Sequence, residues 1–459
     1  MEFLGVNLTV KNRPELDPGF IPLHRFNEGF LKSAHKPVGI AVERAGGEMA
    51  ACHTFIHGTE EMRNADHYYI NRLVKTILWM KGGFRIYVSG DEDTYEYLSA
   101  AYSAGGEQEF DWDYMAGVFE HPFEVVQVDA LPQAKDSPKP MGGHLEGCRI
   151  GFDAGGSDRK VSAVIDGETV YSEEVVWFPK INSDPDYHYE GIVAALKSAA
   201  SHMPRVDAVG VSSAGVFINN RTMAASLFLQ VPKDLFDRKV KDIYIRAITD
   251  TFGPVPYCIV NDGDVTALAG AMSLEDTNIL GIAMGTSEAV GYVDEQGRIT
   301  GWLNELAFVP VDANPAAMED EWSHDIGCGV KYFSQDSVIK LAPAAGIELD
   351  PTLSPAEKLK VVQKLMEQDD QRAAAVYRSI GVYLAHTLAL YHHLYGFRSV
   401  LLLGRVMSGK GGDTLLDTCR RVLADEYSEV NSQITLALPD ERFRRVGQSA
   451  AAASLPELA

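Results

Sequence analysis

Ile259–Ala271 reads IVNDGDVTALAGA, and the fold turns on its middle. Up to Val260 the run is apolar and β-branched; from Asp262 it is small and Ala-rich, so a buried strand passes directly into a helix at Asn261-Asp262. Both residues can accept hydrogen bonds from the free N–H groups of a helix start, which is reason enough for their presence there. A strand feeding a helix without a long loop is the repeating unit of α/β layers. After residue 148 the runs RIGFDAGG, KVSAVIDG, ETVYSEEVVW, AVGVSSAG, ILGIAMG, AVGYVD and VLLLG alternate with helical stretches in that manner. Pro351–Tyr395 has helical periodicity and a stop at Gly396.

Two Gly-rich turns flank this junction. In Ile150–Gly167, IGFDAGGSDRKVSAVIDG, a strand ends in Asp153, a turn of Gly155, Gly156 and Ser157 follows, and a second strand closes a hairpin. Glycines let a backbone approach a phosphate and offer it N–H groups, and a strand-end carboxylate such as Asp153 can hold magnesium through water. An ordinary hairpin also uses Gly-Gly, so this turn alone decides nothing. Leu280–Asp294, LGIAMGTSEAVGYVD, repeats the plan with Gly285, Thr286 and Ser287. Two such hairpins can clamp one polyphosphate. Further on, Val400–Leu416, VLLLGRVMSGKGGDTLL, runs from a strand through Gly404-Arg405 into a helix whose start can face a nucleotide.

The two hairpins resemble the phosphate-binding pair of the actin and sugar-kinase ATPase superfamily, and Val400–Leu416 is similar to its adenosine motif. Within that superfamily VNDGDVTALAGA resembles the Asn-Asp segment of the ROK family of bacterial sugar kinases and repressors, and RRVGQSAAAASL is similar to that family's closing helix of small residues. The likeness runs from about Arg149 to the C-terminus. It implies a two-lobed, actin-like (ribonuclease H-like) α/β fold, ATP and magnesium as cofactors, and a small-molecule sugar as partner. Asp262 then becomes the base that accepts the proton of the attacking hydroxyl, and Asn261 a holder of neighbouring hydroxyls. Phosphoryl transfer asks for such a carboxylate on independent chemical grounds. Gly301–Val311, GWLNELAFVPV, is similar to the family's Gly-Glu-Ile-Gly-His segment, and its place after the second hairpin favours a sugar hydroxyl as the contact of Glu305 over the alternative of an exposed charge. The implied organisation is lobes at 148–261 and 262–446, with 447–459 a helix returning to the first lobe.

Departures from the family shape the expected specificity. Phe308 stands where the family has histidine, and Val330, in HDIGCGVKYFS, where it has a second sugar-binding glutamate. That makes one end of the pocket apolar and argues against glucose. The zinc loop of the family is reduced to Cys328, with His324 the nearest other donor, short of the four a structural zinc requires, so no zinc is expected. His324 or Asp325 is a candidate substitute sugar contact, although a loop histidine is more often simply solvated. Arg405 replaces a glycine of the adenosine motif and is free, on sequence alone, to stack on adenine, pair with phosphate or block the site.

Before the resemblance begins, residues 1–132 read as a small α/β domain: strands at KPVGIAVER, HTFIH, FRIYVSG and FEVVQV, and a helix at DHYYINRLVKTILWM. EQEFDWDYMAGVFEH, acidic and rich in aromatics, reads as a solvated loop carrying a few packed aromatics in preference to a sugar-binding or partner surface. The Pro, Gly and Ser of residues 133–147 mark a linker. A net charge of −23 opposes nucleic acid and anionic membranes as partners. Five scattered cysteines, no CxxC and no apolar run near the roughly 20 residues of a membrane span place the expected protein in the cytoplasm. A homodimer is compatible with all of this. So is the rival function, a sugar-binding or regulatory protein on the same fold without catalysis.

Overall fold

Tyr257–Asn261 is a strand and Asp262–Leu274 a helix, meeting without a loop. The structure, a computed structural model, describes residues 1–137, 141–439 and 441–458, with the backbone alone at 441–446. Pro138–Pro140, inside the expected linker, lie outside the described residues. The chain divides into two compact units.

One unit comprises Pro138–Gly281, Gly291–Gly301 and Pro439–Ala459. Its five-stranded sheet has the order Tyr257–Asn261, Ala208–Ser213, Cys148–Ala154, Asp158–Ile165, Glu168–Val176. The first three run parallel, and the last two are added as antiparallel hairpins. Helices Pro185–Ala200 and Ile243–Phe252 cover an apolar core of Ile150, Phe152, Val209, Val211 and Ile259. The closing helix, Glu441–Ala453, needs its small residues and those of the strands beneath it. A Cβ on Gly151 would lie 1.6 Å from the Ser449 carbonyl, and one on Gly210 1.7 Å from that of Ala452, so only bare backbone fits. Likewise Gly291 lets its strand lie on the carbonyl of Gly263 at the start of helix Asp262–Leu274.

The other unit comprises Met1–Ser137, Ile282–Val290 and Trp302–Leu438. It holds a mixed sheet in the order Met49–Ile56, Lys36–Glu43, Arg85–Ser89, Glu124–Gln127, and the strands Ser399–Leu403 and Thr435–Ala437 of a second sheet. Long helices Gln371–Tyr395 and Gly409–Glu426 pack on each other. The expected helical stretch 351–395 is two helices, because Asp369 takes a left-handed φ of 59° and Asp370 caps a new start. Gly396, at φ 66°, ends the second.

This grouping departs from the sequence-based boundaries in two places. Residues 1–132 are not a body of their own; they share a core with residues 302–438. Arg72 and Lys75 of helix Arg63–Lys81 are buried and pair with Asp325. Burial alone would raise the Asp325 carboxyl, but the two cations more than offset it and bring it down to about 2. Phe20 packs on Tyr332 and Tyr383, and Asp17 accepts from Lys340 and the Tyr383 hydroxyl. The second departure is helix Asp262–Leu274, which groups with residues before 262 because it packs on the closing helix, where Gln448 Nε2 donates to the Thr266 hydroxyl. A correction also falls on EQEFDWDYMAGVFEH, where Glu109–Phe119 is a helix and not a solvated loop. Its Asp111 is buried, accepting from Lys75 Nζ and Trp79 Nε1. No described helix is long and apolar enough to cross a membrane.

Candidate active site

Three neighbouring parallel strands end together, and their last residues carry the polar groups of the first unit's site. Register pairs Asp153 with Ser212 and Ser213 with Asn261, so the carboxyl ends of all three lie side by side, where open α/β sheets place their ligands. Asp153 is 5% exposed, and the Ser212 hydroxyl donates to it at 2.7 Å. Burial raises its carboxyl to about 6; the Ser212 bond pulls down, and the charge of Asp262 pushes up. Asp262 is itself raised by burial, countered by the Gly263 N–H and by the charge of Lys180. Asn261 is the cap of its helix: its Oδ1 accepts from Gly263 N–H at 2.7 Å and its Nδ2 donates to the Gly215 carbonyl at 2.8 Å.

Gly155, Gly156 and Ser157 form the turn beyond Asp153, with Gly156 and Ser157 exposed. Trp177 pins that turn, its indole N–H donating to the Gly155 carbonyl at 2.7 Å and its backbone N–H to that of Ser157 at 3.1 Å. Lys180 then lies across it, for a Cβ on Gly156 would sit 2.8 Å from Lys180 Cε and 3.1 Å from Nζ. The residues fit a magnesium nucleotide on these grounds: a buried carboxylate, an open glycine cradle and a cation beside it. Sequence reading missed Lys180, since nothing in WFPKIN says the segment folds back over the turn. Ser212 was within reach of it, as a polar pair ending an otherwise apolar strand.

The remaining expected site residues belong to the other unit. Gly285, Thr286 and Ser287 form an open turn, with Thr286 and Ser287 exposed and the Gly285 carbonyl accepting from Gln335 N–H. Gly404 has φ 98° and lies so close to Met284 that a Cβ would meet its carbonyl oxygen at 2.3 Å, so the turn after strand Ser399–Leu403 requires glycine. Arg405 follows, exposed, its carbonyl accepting from Gln363. The segment 301–311 attaches to the end of helix Arg63–Lys81: Asn304 and Glu305 N–H donate to the carbonyls of Met80 and Trp79. Phe308 packs between Trp79 and Trp322, ring centroids at 4.5 and 5.0 Å, in a cluster with Phe110 and Tyr114. Val330 is buried in the short turn Gly329–Lys331. Cys328 is buried and His324 is exposed beside Glu319; among the described residues no three His, Cys, Asp or Glu side chains gather as a metal site.

Glu288 was not singled out from sequence. It is 4% exposed, and neither carboxylate oxygen has a hydrogen-bond partner among the described residues. Its Oε2 occupies the space a side chain at Gly329 would fill. Burial, with Glu305 adding to it, holds this carboxyl well above the ordinary glutamate range.

No family model and no curated protein matches the sequence. Solved structures match by fold. A ROK hexokinase from Thermus thermophilus superposes with a TM-score of 0.51 at 19% identity, covering 67% of this chain and 96% of its own. A ROK family transcriptional regulator, described as a homologue of the E. coli MLC protein, gives 0.54 at 15% identity over 68% of this chain and 78% of its own. The fold is therefore the actin-like α/β fold of ROK proteins, shared by sugar kinases and a regulator.

Proposed function

We propose that the protein is a cytoplasmic carbohydrate kinase, transferring the γ-phosphoryl group of ATP to a hydroxyl of a sugar or sugar derivative with magnesium. The observation that carries this reading is the convergence of Asp153, Ser212, Asn261 and Asp262 at the ends of adjacent parallel strands beside a glycine turn. Asp262 is the base. As the sugar oxygen bonds to phosphorus and the bond to the ADP oxygen breaks, the hydroxyl proton passes to the Asp262 carboxylate, whose partial desolvation makes it a stronger base than a solvated one. Asp153 would hold magnesium through water, and the metal would supply charge neutralisation at the phosphates. The turns at Gly155–Ser157 and Gly285–Ser287, with Gly404 and Arg405, would receive the nucleotide, and Asn261 and Glu305 the sugar. Support for the fold's kinase use comes from the hexokinase likeness. The regulator likeness keeps a non-catalytic sugar-binding protein as the second reading. The deciding experiment is ATP-dependent phosphorylation across a sugar panel, run beside Asp262→Asn. Transfer by the wild type that Asp262→Asn abolishes supports the kinase; sugar binding without transfer supports the second reading.

A further inference from the structure

We propose that Lys180 is a phosphate-contacting catalytic residue that reads the γ-phosphoryl group of the nucleotide. This rests on the proposed kinase reading and extends it to a residue that no motif assigned. The placement of Lys180 is built and not incidental. Trp177 holds both ends of the Gly155–Ser157 turn. One residue on, Phe178 N–H donates to the Tyr187 hydroxyl, and its carbonyl accepts from Asn182 Nδ2. Pro179 is buried, so the short turn Pro179–Ile181 is anchored on both sides of the lysine. The outcome is that the ammonium end rests on Gly156, where an added side chain would push it aside.

Its charge has no local reason to be there. Among the described residues no carboxylate comes within ion-pair distance of Lys180, in a chain whose net charge is −23 and whose other lysines include many paired ones. Its charge does reach the site: it acts through space on Asp262, favouring the ionised carboxylate. An unpaired ammonium over an open glycine turn, within electrostatic reach of the Asp262 carboxylate, matches a ligand that brings its own negative charge. A polyphosphate terminus is such a ligand, and a neutral sugar is not. In the transfer itself the charge would spread over the oxygens of the moving phosphoryl group, where a fixed cation stabilises it most.

The test measures binding and turnover separately. Affinities of the full chain for ATP, ADP and AMP are measured by calorimetry with magnesium present, for wild type, Lys180→Met, Lys180→Arg and Gly156→Ala. The wild type is expected to prefer ATP to AMP. Lys180→Met should lose roughly ten- to hundred-fold of ATP affinity with AMP affinity unchanged. Lys180→Arg should keep most of that preference, and Gly156→Ala, which displaces the ammonium without removing it, should lose part. Where a sugar is turned over, Lys180→Met should lower kcat by roughly 100-fold or more with the sugar KM unchanged. If Lys180→Met binds and turns over like wild type, Lys180 is a solvated surface lysine and the inference falls while the kinase reading stands. If the γ-phosphate preference depends on Lys180 but no sugar is phosphorylated, the kinase reading falls and the inference stands. Absence of any nucleotide binding by the wild type overturns both.

Discussion

Asp262 sits where two demands meet. It begins a helix, which favours its charged form through the Gly263 N–H, and it is half-buried, with a loss of solvation that disfavours that form more strongly. A carboxylate held this way stays protonated to a higher pH than a solvated aspartate. The acid limb of the kcat profile should therefore fall above the ordinary aspartate range, and Asp262→Asn should lower kcat by orders of magnitude while nucleotide affinity stays near wild type. An unchanged turnover in that variant would remove Asp262 from the chemistry. Glu288 makes a prediction of a different kind, about stability. Its folded-state pKa is raised, so between the ordinary glutamate value and the raised one the folded chain binds a proton that the unfolded chain has released. The stability it contributes is thus complete below the ordinary value and is lost as pH rises through the folded one, by at most about 1.4 kcal/mol for each pH unit crossed. Denaturant unfolding of Glu288→Gln at pH 5 and pH 9 should show a smaller difference between the two conditions than wild type shows. Equal differences would mean that Glu288 is ionised and neutralised in solution.

At the scale of elements, the segment 301–311 is where the expected specificity meets the N-terminal region. It forms no strand; a single turn at Leu306–Phe308 follows two backbone bonds to the end of helix Arg63–Lys81. Phe308 is consequently held by Trp79 and Trp322, and helix Glu109–Phe119 completes the aromatic surroundings. Trp322 remains 51% exposed on top of that cluster. If Phe308 and Val330 border the sugar, the double variant Phe308→His with Val330→Glu should shift preference toward unmodified hexoses. Each restored hydrogen bond would be worth on the order of 1 kcal/mol. Competition assays between glucose and the native substrate read this directly. A folded double variant with an unaltered preference places both side chains outside the sugar site, as members of the aromatic cluster only.

For the whole molecule, the sharing of one core by residues 1–137 and 302–438 has a testable cost. A chain starting at residue 138 would take both cationic partners, Arg72 and Lys75, from Asp325 and strip Phe20 from Tyr332 and Trp79 from Phe308. The larger loss is apolar, since burying one large side chain contributes about 1.5–3 kcal/mol and several would be uncovered together. Such a chain should show no cooperative thermal transition for the unit containing Trp302–Leu438, followed by tryptophan fluorescence; a wild-type-like transition would show that residues 1–137 are dispensable to it. The amino-acid sequence by itself determined the elements and their local chemistry. The strand-to-helix junction at Asn261-Asp262, the two hairpins with their glycine turns, and the Gly396 stop all follow from short-range rules of periodicity, capping and backbone freedom, which need only neighbours in the chain. It was blind to what depends on distant partners. Helix Glu109–Phe119 reads as a loop because its stability comes from Asp111 meeting Lys75 and Trp79, more than thirty residues earlier. Lys180 and Glu288 look like ordinary surface charges because only the folded chain lays one over Gly156 and seals the other against Gly329. Tertiary structure decided these positions, since burial and electrostatic proximity are properties of residues brought together by folding and are written in no single stretch of sequence.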